Sequence, residues 1–99
     1  MTTLHVVATI PLDPTHAAEA APVLAELAAA SRNDAGCLVY EAYESASTPG
    51  VFVTVEEWSD PSDLDKHMQT EHIKGALGVL GSELAEAPAI HPLKPLDVQ

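Results

Sequence analysis

The chain alternates between short β-branched runs and longer stretches with apolar residues at helical spacing. Leu4 to Ile10, LHVVATI, is a run of the first kind, and Pro11 closes it, so it predicts a first strand. In the following segment, Asp13 can cap a helix with Pro14 at its first position. Ala20, Val23, Leu24, Leu27 and Ala28 form the apolar stripe, and Gly36 follows as a stop. Pro22 lacks the N–H that a helix interior uses, so it is expected to kink the helix or push its start to Ala21, leaving it firm only from Pro22 to about Ser31. CLVYEAYE and VFVTVEEW predict two more strands, joined through Pro49 and Gly50, which suit the central positions of a type II turn. Asp60 and Pro61 repeat the cap-plus-proline signal. The helical region they open restarts near Thr70 and carries Ile73, Ala76, Leu77, Leu80 and Leu84 at helical spacing. AIHPL predicts a last strand, with Pro92 and Pro95 placing it at a sheet edge.

The order β, α, β, β, α, β is that of the α+β, ferredoxin-like arrangement: a four-stranded antiparallel sheet with its helices on one face, in a single domain over residues 1–99. On the third strand Phe52, Thr54, Glu56 and Trp58 point one way, and Val51, Val53, Val55 and Glu57 the other. Two helices cover only one of these mostly apolar faces. A second copy of the sheet is the economical cover for the other, giving a homodimer packed through its sheet faces in a barrel-like arrangement. By alternation His5 belongs to that dimer side.

Composition narrows the function classes. With 99 residues, 46% of them hydrophobic and 19% charged, and no apolar run of membrane-spanning length, the chain reads as a folded soluble domain. A net charge of −11 with only four Lys and Arg leaves a nucleic-acid groove, or an anionic membrane surface, without its electrostatic basis. The single Cys37 forms neither an internal disulfide nor a cysteine-pair metal knuckle, and the N-terminus has no basic leader, so a cytoplasmic location is expected. Glycine-rich nucleotide fingerprints, phosphate loops and nucleophile elbows are absent.

The chemistry-bearing residues crowd into EEWSDPSDLDKHMQTEH, from Glu56 to His72. His67 and His72 would stand about 140° apart on an unbroken helix, which disfavours a shared metal. A break near Thr70 can instead turn both rings toward one cavity, where an imidazole suits proton abstraction near neutral pH; otherwise they are capping or surface histidines. Glu56 is either a strand-end residue reaching solvent or a buried acid. Trp58, Tyr40 and Phe52 are core aromatics or the stacking walls of a flat substrate's site. Tyr43 and His91 are weaker candidates. Gly75, Gly78 and Gly81 suggest a close backbone approach, a cavity wall or a frayed helix.

GCLVY after the first helix, FVTVEEW, and HMQTEHIKGAL together resemble the antibiotic biosynthesis monooxygenase family, and within it the small quinol monooxygenase-like proteins. Glu56-x-Trp58 and His67-x-x-Thr70-x-His72 are the most specific parts. The resemblance implies a dimeric α+β barrel with a pocket between sheet and helices in each subunit. It also implies oxidation of a hydroquinone or polyketide-type phenol by O2 as co-substrate, without metal, flavin or other cofactor. On that reading His67 or His72 is the base, Glu56 orients or tunes it, and Trp58, Tyr40 and Phe52 form the stacking wall. Haem-degrading relatives use an asparagine and a last-helix histidine where this chain has Ala8 and Leu77, so haem degradation does not fit. A sugar-phosphate isomerase branch keeps both histidines, although few cations are available here for a phosphate. A non-catalytic ligand-binding or stress-response dimer is the third reading.

Overall fold

A computed structural model describes residues 3–98. Four strands, β1 (Leu4–Pro11), β2 (Cys37–Glu44), β3 (Val51–Trp58) and β4 (Ala89–Leu93), form one antiparallel sheet in the order β2-β3-β1-β4. This is the ferredoxin-like arrangement expected from the order of elements, with proline-bearing β4 at one edge. The β2–β3 hairpin closes as anticipated: Val51 N–H donates to the Thr48 carbonyl at 3.2 Å, and Gly50 takes φ +92° at the third turn position.

Helix α1 (Ala17–Ser31) follows a 3-10 turn over Pro14–His16, whose first residues are capped by the Asp13 carboxylate accepting from Thr15 N–H at 2.9 Å. Contrary to the expectation of a helix firm only from Pro22, α1 runs through Pro22 from Ala17. Pro22 and Ala18 lie on the exposed face, where the carbonyl that loses its helical partner meets water. The buried stripe of Ala20, Leu24, Leu27 and Ala28 spans both sides of the proline and holds the helix down.

The second helical region is two helices, α2 (Pro61–His67), capped by Asp60, and α3 (Glu71–Leu80), capped by Thr70. Leu84 is not on the helix: a 3-10 turn at Gly81–Glu83 ends α3, and Leu84 pairs with Leu12 in an isolated bridge. A Cβ on Gly75, Gly78 or Gly81 would meet nothing within 4 Å, so a close backbone approach does not account for these glycines.

Helices cover the sheet face made by Val6, Ala8, Ile10, Tyr40, Phe52, Thr54, Glu56 and Trp58, all buried. The other face carries Val7, Val39, Val51 and Val53, which are half-buried, and Tyr43, Val55 and Leu93, exposed by 55%, 38% and 44%. An apolar surface of this kind invites a cover. Sedimentation equilibrium at micromolar concentration is expected to return twice the 10.4 kDa chain mass; a monomer there would remove the second sheet from this account.

Candidate functional site

On the covered face, alternate residues of β3 form a polar ladder. The Glu56 carboxylate, 4% exposed, accepts from Thr54 Oγ1 at 2.7 Å and from Trp58 Nε1 at 3.0 Å, so one buried acid satisfies both its neighbours on the same side of the strand. Tyr40 lies directly across from Glu56 in the β2–β3 register. Burial, and after it the nearby Glu56 charge, push the Tyr40 phenol far above its ordinary range, so its hydroxyl stays a donor.

His67 is brought over this ladder by the end of α2. Its ring, 2% exposed, lies 4.9 Å from Trp58 and 5.5 Å from Tyr40 between centroids. The expected break does occur at Thr70, and the hydroxyl of that residue makes it. Thr70 Oγ1 donates to the His67 carbonyl at 2.7 Å, finishing α2, and accepts from Ile73 N–H at 3.4 Å, starting α3. The turn brings His72 back toward His67, with ring centroids 5.8 Å apart.

Both histidines converge on Asp34. Its Oδ2 is 2.7 Å from His67 Nδ1 and 2.9 Å from His72 Nε2. A carboxylate only accepts, so both nitrogens donate. Asp34 Oδ2 and the two ring nitrogens lie within 4.8 Å of one another, a spacing that a divalent ion also tolerates. At 2.7 and 2.9 Å both nitrogens stand at hydrogen-bond distance from that oxygen, the geometry of a hydrogen-bonded triad. Asp34 is the residue that sequence reasoning missed. It sits in NDAG, which looks like an ordinary helix stop, and the one signal there was an acidic residue two positions before a glycine.

That glycine sets the turn against α2. Gly36 has φ +78°, its carbonyl accepts from Ser59 N–H at 2.8 Å, and a Cβ there would overlap the Asp63 carboxylate. Asp63 in turn accepts from Ser59 Oγ at 2.6 Å. The turn that presents Asp34 is thereby seated on the helix that presents His67.

The six residues singled out from sequence therefore divide. His67, Tyr40 and Glu56 line one cavity of about 50 Å³, together with Thr54 and apolar side chains such as Ile10, Leu64 and Leu77. Trp58, fully buried, stands behind His67 and Tyr40 instead of forming the wall itself. Phe52 is outside this cavity: it lines a separate groove of about 310 Å³ between α1 and β2, which contains no histidine. His72 lies on the far side of the triad, in a groove of about 420 Å³ between α1 and α3 that Gly75 also lines. The carboxylate that bonds the histidines is Asp34, whereas Glu56 bonds Thr54 and Trp58.

A family model described as antibiotic biosynthesis monooxygenase matches residues 3–78, the span that holds every polar residue of the site. Among solved structures, the chain is similar to a Caulobacter crescentus protein named for the same monooxygenases. The two share 34% identity with a TM-score of 0.86, over 96% of this chain and 91% of that one. A Pseudomonas aeruginosa protein shares 32% identity with a TM-score of 0.87, over 98% of this chain and 97% of that one. A Mycobacterium tuberculosis protein shares 27% identity with a TM-score of 0.85, over 98% of each. No curated protein sequence matches the chain.

Two outcomes follow from the geometry. Gly36→Ala places a side chain in the left-handed region and against Asp63, and urea unfolding should show a loss of at least about 1–2 kcal/mol. Unchanged stability would mean that the turn is not seated on α2 as described. The second concerns Tyr40. In the unfolded chain its phenol ionises at about pH 10, but burial resists ionisation in the folded state. Stability should therefore be complete below that pH and fall as pH rises above it. Tyr40→Phe should flatten this alkaline decline in thermal melts, and an identical decline in the variant would contradict the assigned cause.

Proposed function

Because the chain belongs to the antibiotic biosynthesis monooxygenase family, we propose that it oxidises an electron-rich hydroquinone or polyketide-type phenol with O2, using neither metal nor flavin. The observation that carries this reading is a buried imidazole at the wall of a largely apolar cavity. His67 spends Nδ1 on Asp34, and among the described residues no protein partner meets its Nε2. That nitrogen is the base. His72, bonded to the outer side of Asp34, does not line the cavity.

The chemistry needs little else from the protein. Loss of the phenolic proton makes the ring a one-electron donor to O2, and the resulting radicals combine at a ring carbon. One oxygen atom becomes the new carbonyl. The other leaves as water, carrying the hydrogens of the broken O–H and C–H bonds, so phenol plus O2 balances quinone plus water. Apolar walls keep bulk water from the intermediate, and the Tyr40 hydroxyl is a donor placed to orient the substrate oxygen. Glu56, at the cavity wall, acts on the base indirectly, holding the indole of Trp58 against the His67 ring.

The cavity is much smaller than the roughly 300 Å³ that ring-sized ligands usually occupy, so substrate entry requires its lining to move outward. Ile90, 42% exposed on the edge strand β4, is the part of the wall most open to solvent. No Lys or Arg lines the cavity, which favours an uncharged aromatic over the phosphorylated substrate of an isomerase. The converging polar groups His67, Tyr40, Thr54 and Glu56 favour a catalytic site over a simple binding module.

O2 uptake by the chelator-treated full chain, with anthrone and a panel of hydroquinones and autoxidation subtracted, tests the reading. Saturable uptake is expected, with kcat lower by about 10²–10⁴ in His67→Ala. No uptake with any probe would overturn the oxygenase assignment, and uptake indifferent to His67→Ala would remove His67 as base.

A further inference from the structure

We infer that Asp34 is the positioning residue of this site: it holds His67 in the tautomer whose lone pair faces the cavity, and His72 serves Asp34 from the outer groove without touching substrate. The inference rests on the reading of His67 as the base and specifies what makes that imidazole competent.

A neutral imidazole carries one N–H, and which nitrogen bears it decides whether the ring can take a proton from the cavity. Nothing on the cavity side fixes this choice, because no protein partner meets His67 Nε2 among the described residues. Asp34 fixes it from the other side. At 2.7 Å its Oδ2 requires a proton on Nδ1, which leaves Nε2 with the lone pair. Among the described residues the partners of the Asp34 carboxylate are the two histidines, and no Lys or Arg shares it. Its negative charge is therefore available to the imidazolium that forms. In the proton-transfer step the substrate O–H bond breaks and an Nε2–H bond forms. The electron pair stays on the substrate oxygen, and Nδ1 keeps its proton toward Asp34.

His72 completes the arrangement. Asp34 is 14% exposed, His72 27% and His67 2%, a gradient from groove to cavity along one chain of hydrogen bonds. By donating Nε2–H to the same Oδ2 at 2.9 Å, His72 holds the carboxylate in register for His67. The break at Thr70 is what allows both donors to reach one oxygen.

Long-range proton–nitrogen correlation spectra of the 15N-labelled full chain, taken with the imidazoles neutral, read the tautomers directly. The wild-type protein should show His67 protonated at Nδ1 and His72 at Nε2, with assignments made from His67→Gln and His72→Gln. Asp34→Asn should shift His67 toward the Nε2–H form. In anthrone-dependent O2 uptake the same variant should lower kcat about 100-fold or more with KM within about twofold, in line with the loss of one general base. His72→Gln, whose amide can still donate to Asp34, should cost less. Wild-type His67 carrying its proton on Nε2 would overturn the inference, as would an unchanged tautomer in folded Asp34→Asn. If the tautomers behave as expected but wild-type protein consumes no O2 with anthrone or the hydroquinones, the positioning role of Asp34 stands and the oxygenase reading falls.

Discussion

Two histidines five positions apart on a straight helix cannot donate to the same oxygen atom, so the site depends on where the helical region is interrupted. Thr70 supplies the interruption with one hydroxyl, which donates to the last carbonyl of α2 and accepts the N–H that opens α3. A break one residue earlier or later would change which ring faced inward, since each residue of helix turns a side chain by about 100°. The counterpart, Asp34, is placed with similar economy. The positive φ of Gly36 and the contact of that glycine with Asp63 seat the α1–β2 turn on the first turn of α2.

The two carboxylates that face the helix-covered side of the sheet organise two hydrogen-bond systems, which touch through the Trp58–His67 and Tyr40–His67 ring contacts. In one, Glu56 orients the indole of Trp58 and satisfies Thr54. In the other, Asp34 orients His67 and His72. Each carboxylate is matched by two donors, which is how charge-bearing groups persist in a core otherwise made of Val6, Ile10, Leu24, Leu27 and Leu80. Keeping the systems separate also leaves His67 Nε2 without a protein partner among the described residues, and low polarity around the ring strengthens any interaction it makes with a bound group.

Most of the fold was legible because its signals are local. Pro49-Gly50, Asp60-Pro61 and the Thr70 restart each act within a few residues, and β2, β3 and β4 begin and end where composition placed them. Pro22 misled because the cost of a proline depends on whether the carbonyl it orphans can reach water, which the one-dimensional pattern does not state. Leu84 kept helical spacing by coincidence after α3 had ended. In the site, Glu56, Tyr40 and His67 were recoverable from strand alternation and from the anticipated break. Asp34 was not, because its role is defined by contacts across 33 and 38 residues. Phe52 and Trp58 share the face of Glu56, as alternation requires, but position along a strand does not say which side chains border a cavity.

Those sequence separations also matter for how the native state is reached. Asp34 lies before the β2–β3 hairpin and the histidines lie after it, so their contacts close a loop that contains β3, one of the two central strands. Loop closure of this kind is costly until the hairpin has docked, and contacts of high sequence separation form late when a chain folds cooperatively. The triad thus exists only in molecules whose α1–β2 turn, hairpin and α2 have all come together. A partly folded chain, however helical, presents separated imidazoles and no shared carboxylate, which ties assembly of the triad to completion of folding.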